Sequence, residues 1–132
     1  MIGVDTNVLL RFLAGDDAGQ SPLARALVRT AARNDEAVFV NDVVLAETVW
    51  ALRSSLETAK PALLAALKDL LDSTVFTFES REVMQRAVDA FERSNADFAD
   101  CLIVAKNKSA GCATTHTFDR KLSAVFGTSL LA

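Results

Sequence analysis

Short apolar runs alternate along this chain with longer stretches that have helical periodicity. The runs at 2–4, 37–40, 75–78 and 112–115 have the length and apolar character of buried strands, and 128–131 is a candidate fifth strand. Between consecutive members of the first four runs, apolar residues recur at helical spacing. The predicted helix caps are Thr6 or Asn7 before a helix over 8–13, Asn41 and Asp42 before one over 43–53, and Ser80 before one that reaches about 93. Strands that alternate with helices of about 10–15 residues favour a parallel sheet covered on both faces. The sequence therefore predicts a doubly wound α/β fold, with a central, mostly parallel sheet of about five strands and helices on both faces.

A chain of 132 residues has the length of one domain, and we expect a single domain over 1–132. No apolar run approaches the ~18 residues that a membrane span needs. The start, MIGVDTNVLL, lacks the basic region of a secretory signal. The net charge of −3 is unlike that of a typical DNA-coating protein, although it does not exclude an enzyme that acts on nucleic acid. These features indicate a cytoplasmic protein with no membrane segment.

Four of the 17 acidic residues differ from the others in their positions. Asp5 and Asp119 follow the first and fourth predicted strands, while Glu47 and Asp100 lie in the helical stretches VVLAETVWAL and FADCLIVA, which are otherwise apolar. We expect such stretches to be buried, and a buried carboxylate is costly unless it is paired or bound to a metal. Taken singly, each acid also has an ordinary interpretation as a helix cap or a salt-bridge partner.

Together, the positions of these acids favour a shared metal site. Ligands gather at the carboxyl ends of the strands in such sheets, and the apolar segments around Asp5, Glu47 and Asp100 contain no basic residue that could pair with these acids. All-oxygen ligation suits Mg²⁺ or Mn²⁺ rather than zinc. One or two such ions held by Asp5, Glu47, Asp100 and Asp119 would lower the pKa of an attacking water and neutralise developing charge. The residues therefore predict a metal-dependent phosphodiesterase.

These motifs resemble, in their order and separation, those of the PIN-domain family, and within it the VapC-type toxins of toxin–antitoxin pairs. The opening VDTNVLLRFL carries the family's first Asp as Asp5 and its Asn as Asn7. The family's Glu matches Glu47 in LAETVW, its third acid matches Asp100 in FADCLIVA, and its terminal T-x-D motif matches TFD, which ends at Asp119. The resemblance covers essentially the whole chain.

The resemblance implies a PIN-like three-layer fold and a metal-dependent endoribonuclease in which the four acids bind Mg²⁺ or Mn²⁺. It further implies an RNA substrate of the tRNA or ribosomal RNA class, a cognate antitoxin that holds the enzyme inactive, and a homodimer. We expect an exposed apolar groove that receives a helix of the antitoxin. Three alternatives stay open: a PIN nuclease of RNA processing, a catalytically inactive PIN-like binding module, and a phosphotransfer domain on a similar sheet.

Three further polar residues lie within these motifs. Asn7 would position the first acid or a water, or it caps the following helix. Asp97 shares a helix face with Asp100 and would assist metal binding, or it is the N-cap of that helix; which of the two acids is the direct ligand stays open. Thr117 would orient Asp119 or contact phosphate, or its hydroxyl satisfies the backbone at a strand end.

Basic and aromatic side chains are the groups that contact RNA phosphates and bases. Nearly all of the eight Phe residues and the single Trp50 fall at core spacings, so we expect no base-stacking platform. Four basic residues are weaker candidates for phosphate contacts, or else are solvated surface charges: Arg11, Arg53, Arg120 and Lys121.

Overall fold

The computed structural model describes residues 1–132, which form two compact units, 1–79 and 80–132. Its six α-helices and five strands confirm the predicted α/β class. All three strand pairs are parallel, as the alternation of strands and helices predicts. The strands occupy two sheets, one in each unit, with three strands in the first and two in the second.

The first unit combines a three-stranded parallel sheet with four helices. Its elements are β1 (Ile2–Gly3), α1 (Thr6–Ala14), α2 (Gln20–Arg33), β2 (Val38–Val40), α3 (Asp42–Ser54), α4 (Lys60–Asp72) and β3 (Phe76–Phe78). The strand order is β1-β2-β3, with Ile2 opposite Val38 and Val38 opposite Phe76. Val38 and Val40 are completely buried, as expected of a central parallel strand with both faces covered.

The residues that follow the first two strands start the next helices. Asp5 is the N-cap of α1, because its Oδ1 accepts a hydrogen bond from the Val8 backbone N–H at 3.0 Å. The predicted cap at Thr6 or Asn7 is therefore wrong, and the helix begins earlier. Asn41 caps α3 in the same way, as the sequence predicted. Since parallel strands run in one direction, both caps lie at the same edge of the sheet.

The second unit places two helices beside a two-stranded parallel sheet. Its elements are α5 (Arg81–Arg93), α6 (Phe98–Ser109), β4 (Thr115–Thr117), a 3-10 turn (Leu122–Ala124) and β5 (Thr128–Leu130). α5 packs against α6, and the rings of Phe91 and Phe98 meet edge to face with centroids 5.8 Å apart. β4 begins later than predicted because the Cys112 N–H still donates to the Asn107 carbonyl at the end of α6.

The predicted burial of α3 and α6 on all sides is wrong. α3 exposes Val43, Glu47 and Trp50, while α6 exposes Ile103 and leaves Asp100 half-buried. An apolar sequence determines how much surface a helix is able to bury, whereas the neighbouring elements decide which face is covered. None of the helices combines the length and the apolar character that crossing a membrane requires.

Thr48 in α3 is buried, and its hydroxyl oxygen has no hydrogen-bond partner. We expect Thr48→Val to raise the free energy of unfolding by about 1 kcal/mol, because the substitution removes an unsatisfied polar group while keeping the branched shape. Urea denaturation measures this change, with Thr30→Val on the exposed side of α2 as the control. A loss of stability on Thr48→Val would contradict the prediction and would mean that the hydroxyl is hydrogen-bonded.

Candidate functional site

The start of α1 and the middle of α3 are joined through a carboxylate in the first unit. The Thr6 hydroxyl donates to Glu47 Oε1 at 3.0 Å, and Asp5 immediately precedes Thr6. Asp5 uses Oδ1 to cap α1 and Glu47 uses Oε1 to accept from Thr6, so each carboxylate keeps one oxygen without a hydrogen bond. Neither acid is paired with a basic residue, and both are exposed. Two carboxylate oxygens of this unit are therefore free to bind a cation.

Thr6 is the residue of this arrangement that sequence reasoning missed. The sequence presented it as a candidate helix cap, whereas the cap is its neighbour Asp5. The available signal was a hydroxyl on the first turn of a helix, one residue after the acid that follows β1. That signal does not identify Glu47 as the acceptor, because the partner lies 41 residues away on another helix.

Three carboxylates interact electrostatically in the second unit. Burial raises the pKa of Asp100 above its ordinary value of 3.8, and the negative charges of Asp97 and Asp119 raise it further. Asp97 occupies the N-cap position of α6, yet its side chain makes no capping hydrogen bond. None of the three acids forms an ion pair with a basic residue. The start of α6 and the turn after β4 thus carry acidic side chains that are not paired in any salt bridge.

A tight turn holds Asp119 after β4. The Asp119 backbone N–H donates to the Thr117 hydroxyl at 2.9 Å, and Asp119 Oδ1 accepts from the Lys121 backbone N–H at 2.8 Å. Thr117 therefore satisfies the backbone and, through the same hydrogen bond, fixes the turn that carries Asp119. Arg120 and Lys121 are exposed beside this acid and form no ion pair.

Two other predicted residues of the first unit have different partners. The Asn7 amide donates to Gln20 Oε1 at 3.1 Å, so it neither caps α1 nor hydrogen-bonds to Asp5. Arg11 donates to both carboxylate oxygens of Asp16 at 3.1 Å and to Gln20 at 3.0 Å. Its guanidinium is thus already engaged within the unit. Arg53, by contrast, is exposed and forms no ion pair.

The profile of the PIN domain family matches residues 2–126 of this chain, which include most of both units. The chain belongs to the PIN domain family. No curated protein matches the chain in a sequence search. PIN domains are generally nucleases, which are hydrolases, and PIN nucleases generally use divalent metal ions. Family membership therefore assigns a nuclease-type fold to the chain. It also makes it necessary to ask whether the residues of this chain fit a divalent metal ion.

The donor chemistry of this PIN domain fits a hard divalent cation. The candidate metal ligands at the start of α1, in α3, at the start of α6 and after β4 are all carboxylates, without Cys or His among them. In neither unit do three or more potential ligands come together as a cluster able to hold an ion. Mg²⁺ does not require a cluster of three protein ligands, because it is usually held by one or two carboxylates together with waters and substrate phosphates. The residues present therefore fit Mg²⁺ or Mn²⁺ better than zinc.

Asp5 offers a way to separate capping from charge. Asn is as good an N-cap as Asp, so Asp5→Asn should keep the stability of α1, whereas Asp5→Ala should lower the free energy of unfolding by about 1 kcal/mol. Both substitutions remove the carboxylate and are expected to remove RNA cleavage. Urea denaturation and an RNA cleavage assay measure the two effects. Cleavage retained by Asp5→Asn and lost in Asp5→Ala would assign Asp5 to capping alone.

Proposed function

We propose that this chain is a metal-dependent endoribonuclease that acts in the cytoplasm as the VapC-type toxin of a toxin–antitoxin pair. The proposal is carried mainly by one observation, the carboxylates of Asp97, Asp100 and Asp119, which form no ion pair and of which Asp100 has a raised pKa. Repulsion of this kind destabilises a folded protein, so its presence in a nuclease-type fold is best explained by a cation that binds there during function. Membership of the PIN domain family supports hydrolysis of nucleic acid as the reaction.

In this proposal Asp5, Glu47, Asp100 and Asp119 bind Mg²⁺ or Mn²⁺, with Asp97 in a supporting or alternative role. A bound ion of this class lowers the pKa of the attacking water and neutralises the charge that develops at the phosphate. The chain's own residues keep the carboxylates in place. Asp5 is held by its bond to the start of α1, Glu47 by the Thr6 hydroxyl, and Asp119 by the turn that follows β4.

The proposed RNA contacts outside the acids are cationic. Arg120 and Lys121 are exposed and follow Asp119 directly, so they are suited to bind backbone phosphates close to the scissile bond. Arg11 is a poorer candidate because Asp16 and Gln20 already accept its hydrogen bonds. Phosphate contacts of this kind hold RNA in position without reading its sequence.

The test of the nuclease is cleavage of total cellular RNA by the purified chain, freed of any partner. We expect cleavage with Mg²⁺ or Mn²⁺, loss of cleavage with EDTA, and recovery when either ion is added back in excess. A folded chain that binds no Mn²⁺ by calorimetry and cuts no cellular RNA would contradict the nuclease. RNA that binds but is never cut would instead favour an inactive PIN-like module.

The proposed toxin role requires a surface for the antitoxin. A groove of about 390 Å³ lies along α1 and α2, lined by Leu23, Leu27, Val8 and Ala24 together with polar residues that include Asn7. Leu23 is 72% exposed, so part of the apolar surface of the groove is exposed to solvent and is available to a partner. We propose that an amphipathic helix of the cognate antitoxin lies in this groove with its apolar face inward.

Expression of the chain in growing cells tests the toxin role. We expect growth arrest that requires the carboxylates, and relief of the arrest by co-expression of the protein encoded immediately upstream. Cleavage of RNA in vitro without growth arrest would favour a PIN nuclease of RNA processing. We also propose a homodimer, which light scattering of the chain at high micromolar concentration checks; a monomer there would contradict it.

A further inference from the structure

The exposed face of α3 carries the only tryptophan of the chain. Val43, Glu47 and Trp50 follow one another at spacings of four and three residues, so they lie on a single helix face. Trp50 is 68% exposed, and Val43 is exposed to a similar extent. The expectation that Trp50 falls at a core position is thus wrong, because it lies on the outward side of α3; Phe118 and Phe126 are exposed as well.

We propose that Trp50 is a base-stacking residue that holds one unpaired nucleotide of the RNA substrate beside Glu47, with Arg53 bound to the adjoining phosphate. The inference rests on the proposed function, since it assigns the position of RNA relative to a proposed metal ligand. Glu47 and Trp50 are three residues apart, which corresponds to about 4.5 Å along the helix axis. A base stacked on the indole ring would therefore place its own backbone close to the carboxylate.

The charges on this face complement a nucleotide. Arg53 follows Trp50 by one helical turn, is exposed and forms no ion pair, so its guanidinium is available to a phosphate. An exposed aromatic ring next to a free cation matches the two parts of a nucleotide, since bases stack on aromatic side chains and phosphates bind Arg. If the proposed cation is bound at Glu47, its charge would offset that of the carboxylate and so reduce the repulsion between Glu47 and the RNA backbone.

A second copy of the chain is a less suitable occupant of this face. Two α3 helices that pair antiparallel about a twofold axis would set Val43 of one copy opposite the partner's Trp50. Glu47 lies between these two positions, so the two Glu47 carboxylates would meet near the axis and repel each other. Single-stranded RNA covers the same apolar surface without bringing two acids of the protein together.

Trp50 reports on its own surroundings, because the chain has no other Trp and no Tyr. We expect a short, mixed-sequence single-stranded RNA, with Ca²⁺ in place of Mg²⁺, to quench Trp50 fluorescence. The quenching should have the same midpoint as the anisotropy of the labelled RNA. Trp50→Leu should weaken binding about tenfold, and Trp50→Phe should retain part of the affinity. Phe126→Leu removes an aromatic ring that is 86% exposed in the second unit, and as the control it should leave the affinity unchanged.

Arg53 has a separate measurable effect. Arg53→Gln should weaken RNA binding and lower the slope of log affinity against log salt by about one, because one fewer phosphate is neutralised. Arg53→Lys keeps the charge and should keep the slope. An unchanged slope for Arg53→Gln would overturn the phosphate contact.

The other outcomes are distinguishable. RNA that binds without any change in Trp50 emission, and equally well to Trp50→Leu, overturns the stacking role and leaves the proposed nuclease intact. A blue shift of Trp50 emission that increases with protein concentration and does not change when RNA is added overturns the stacking role. It would instead indicate that a second copy of the chain covers Trp50. A complete lack of RNA binding overturns both this inference and the proposed substrate. If Trp50→Leu does not fold, the RNA titrations of the wild type and of Trp50→Phe test the stacking role instead.

Discussion

Replacing Asp100 with Asn should remove RNA cleavage while leaving the metal-free protein at least as stable as the wild type. Asn keeps the shape of the side chain but removes its charge and weakens its oxygen as a metal ligand. A catalytic cation contributes several kcal/mol to stabilisation of the transition state, so we expect cleavage to fall at least about a hundredfold. Asp72→Asn at the exposed end of α4 removes one acid of the same type elsewhere and should change neither activity nor stability.

The expected stability of Asp100→Asn depends on pH in a defined direction. The pKa of Asp100 is raised in the folded chain, chiefly by burial and then by Asp97 and Asp119. Between the unfolded and folded pKa values the folded protein binds more protons than the unfolded one, so the free energy of unfolding falls as pH rises through this interval. Asn has no such loss. The free energy of unfolding of Asp100→Asn should therefore increase relative to that of the wild type as pH rises above 3.8, and this difference should disappear below that pH.

Thermal melts with and without Mn²⁺ distinguish a metal ligand from a structural acid. Without metal, a salt-bridged acid would lose about 3–5 kcal/mol on substitution, because its partner is left unpaired. With saturating Mn²⁺ the wild type should gain more in melting temperature than Asp100→Asn does, since the ion stabilises only the state that binds it. A variant that still cleaves RNA and keeps the full Mn²⁺ shift would exclude Asp100 as a ligand. Asp97 would then be the better candidate.

The elements of the fold were predictable where local chemistry determines them. Ser80 and Asn41 were identified as caps of α5 and α3 because their side-chain oxygens reach the backbone N–H three residues on. Each predicted strand has a counterpart, since short apolar runs between helical stretches have few alternatives, although β4 shares only Thr115 with the predicted run at 112–115. The cap of α1 was placed wrongly because Asp5, Thr6 and Asn7 are all good capping residues, and only geometry decides among them.

The candidate site was predictable as a set of residues but not as a set of contacts. Asp5 and Asp119 were found by their positions after predicted strands, and Glu47 and Asp100 by their apolar neighbours. Glu47 is exposed, so it was identified for a reason that the structure contradicts. Its bond to Thr6 depends on how α1 packs against α3, which periodicity does not encode. The exposure of Trp50 has the same origin. An apolar helix shows which residues are able to be buried, while tertiary packing selects those that remain outside.

The start of α6, which carries Asp97 and Asp100, is anchored by Phe98. This side chain is 2% exposed and packs edge to face on Phe91 of α5. Phe98→Ala should lower the free energy of unfolding by about 3–5 kcal/mol, because it removes buried apolar surface and leaves a cavity. For a domain whose total stability is typically about 5–15 kcal/mol, this should lower the melting temperature by at least about 10 °C. Differential scanning calorimetry of the metal-free chain measures the shift.

Phe118 provides the matched comparison for this prediction, because it is also a phenylalanine but is 81% exposed. Phe118→Ala should change the free energy of unfolding by no more than about 0.5 kcal/mol. Phe98→Leu keeps most of the buried volume and should cost less than about 1.5 kcal/mol. Since Phe98 lies between the two acids along the chain, Phe98→Ala should also weaken Mn²⁺ binding at temperatures where this variant is still folded. Phe118→Ala should leave the start of α6 intact and should not weaken Mn²⁺ binding in this way. Equal melting temperatures for the two alanine variants would contradict the anchoring role and would mean that the start of α6 is held by other contacts.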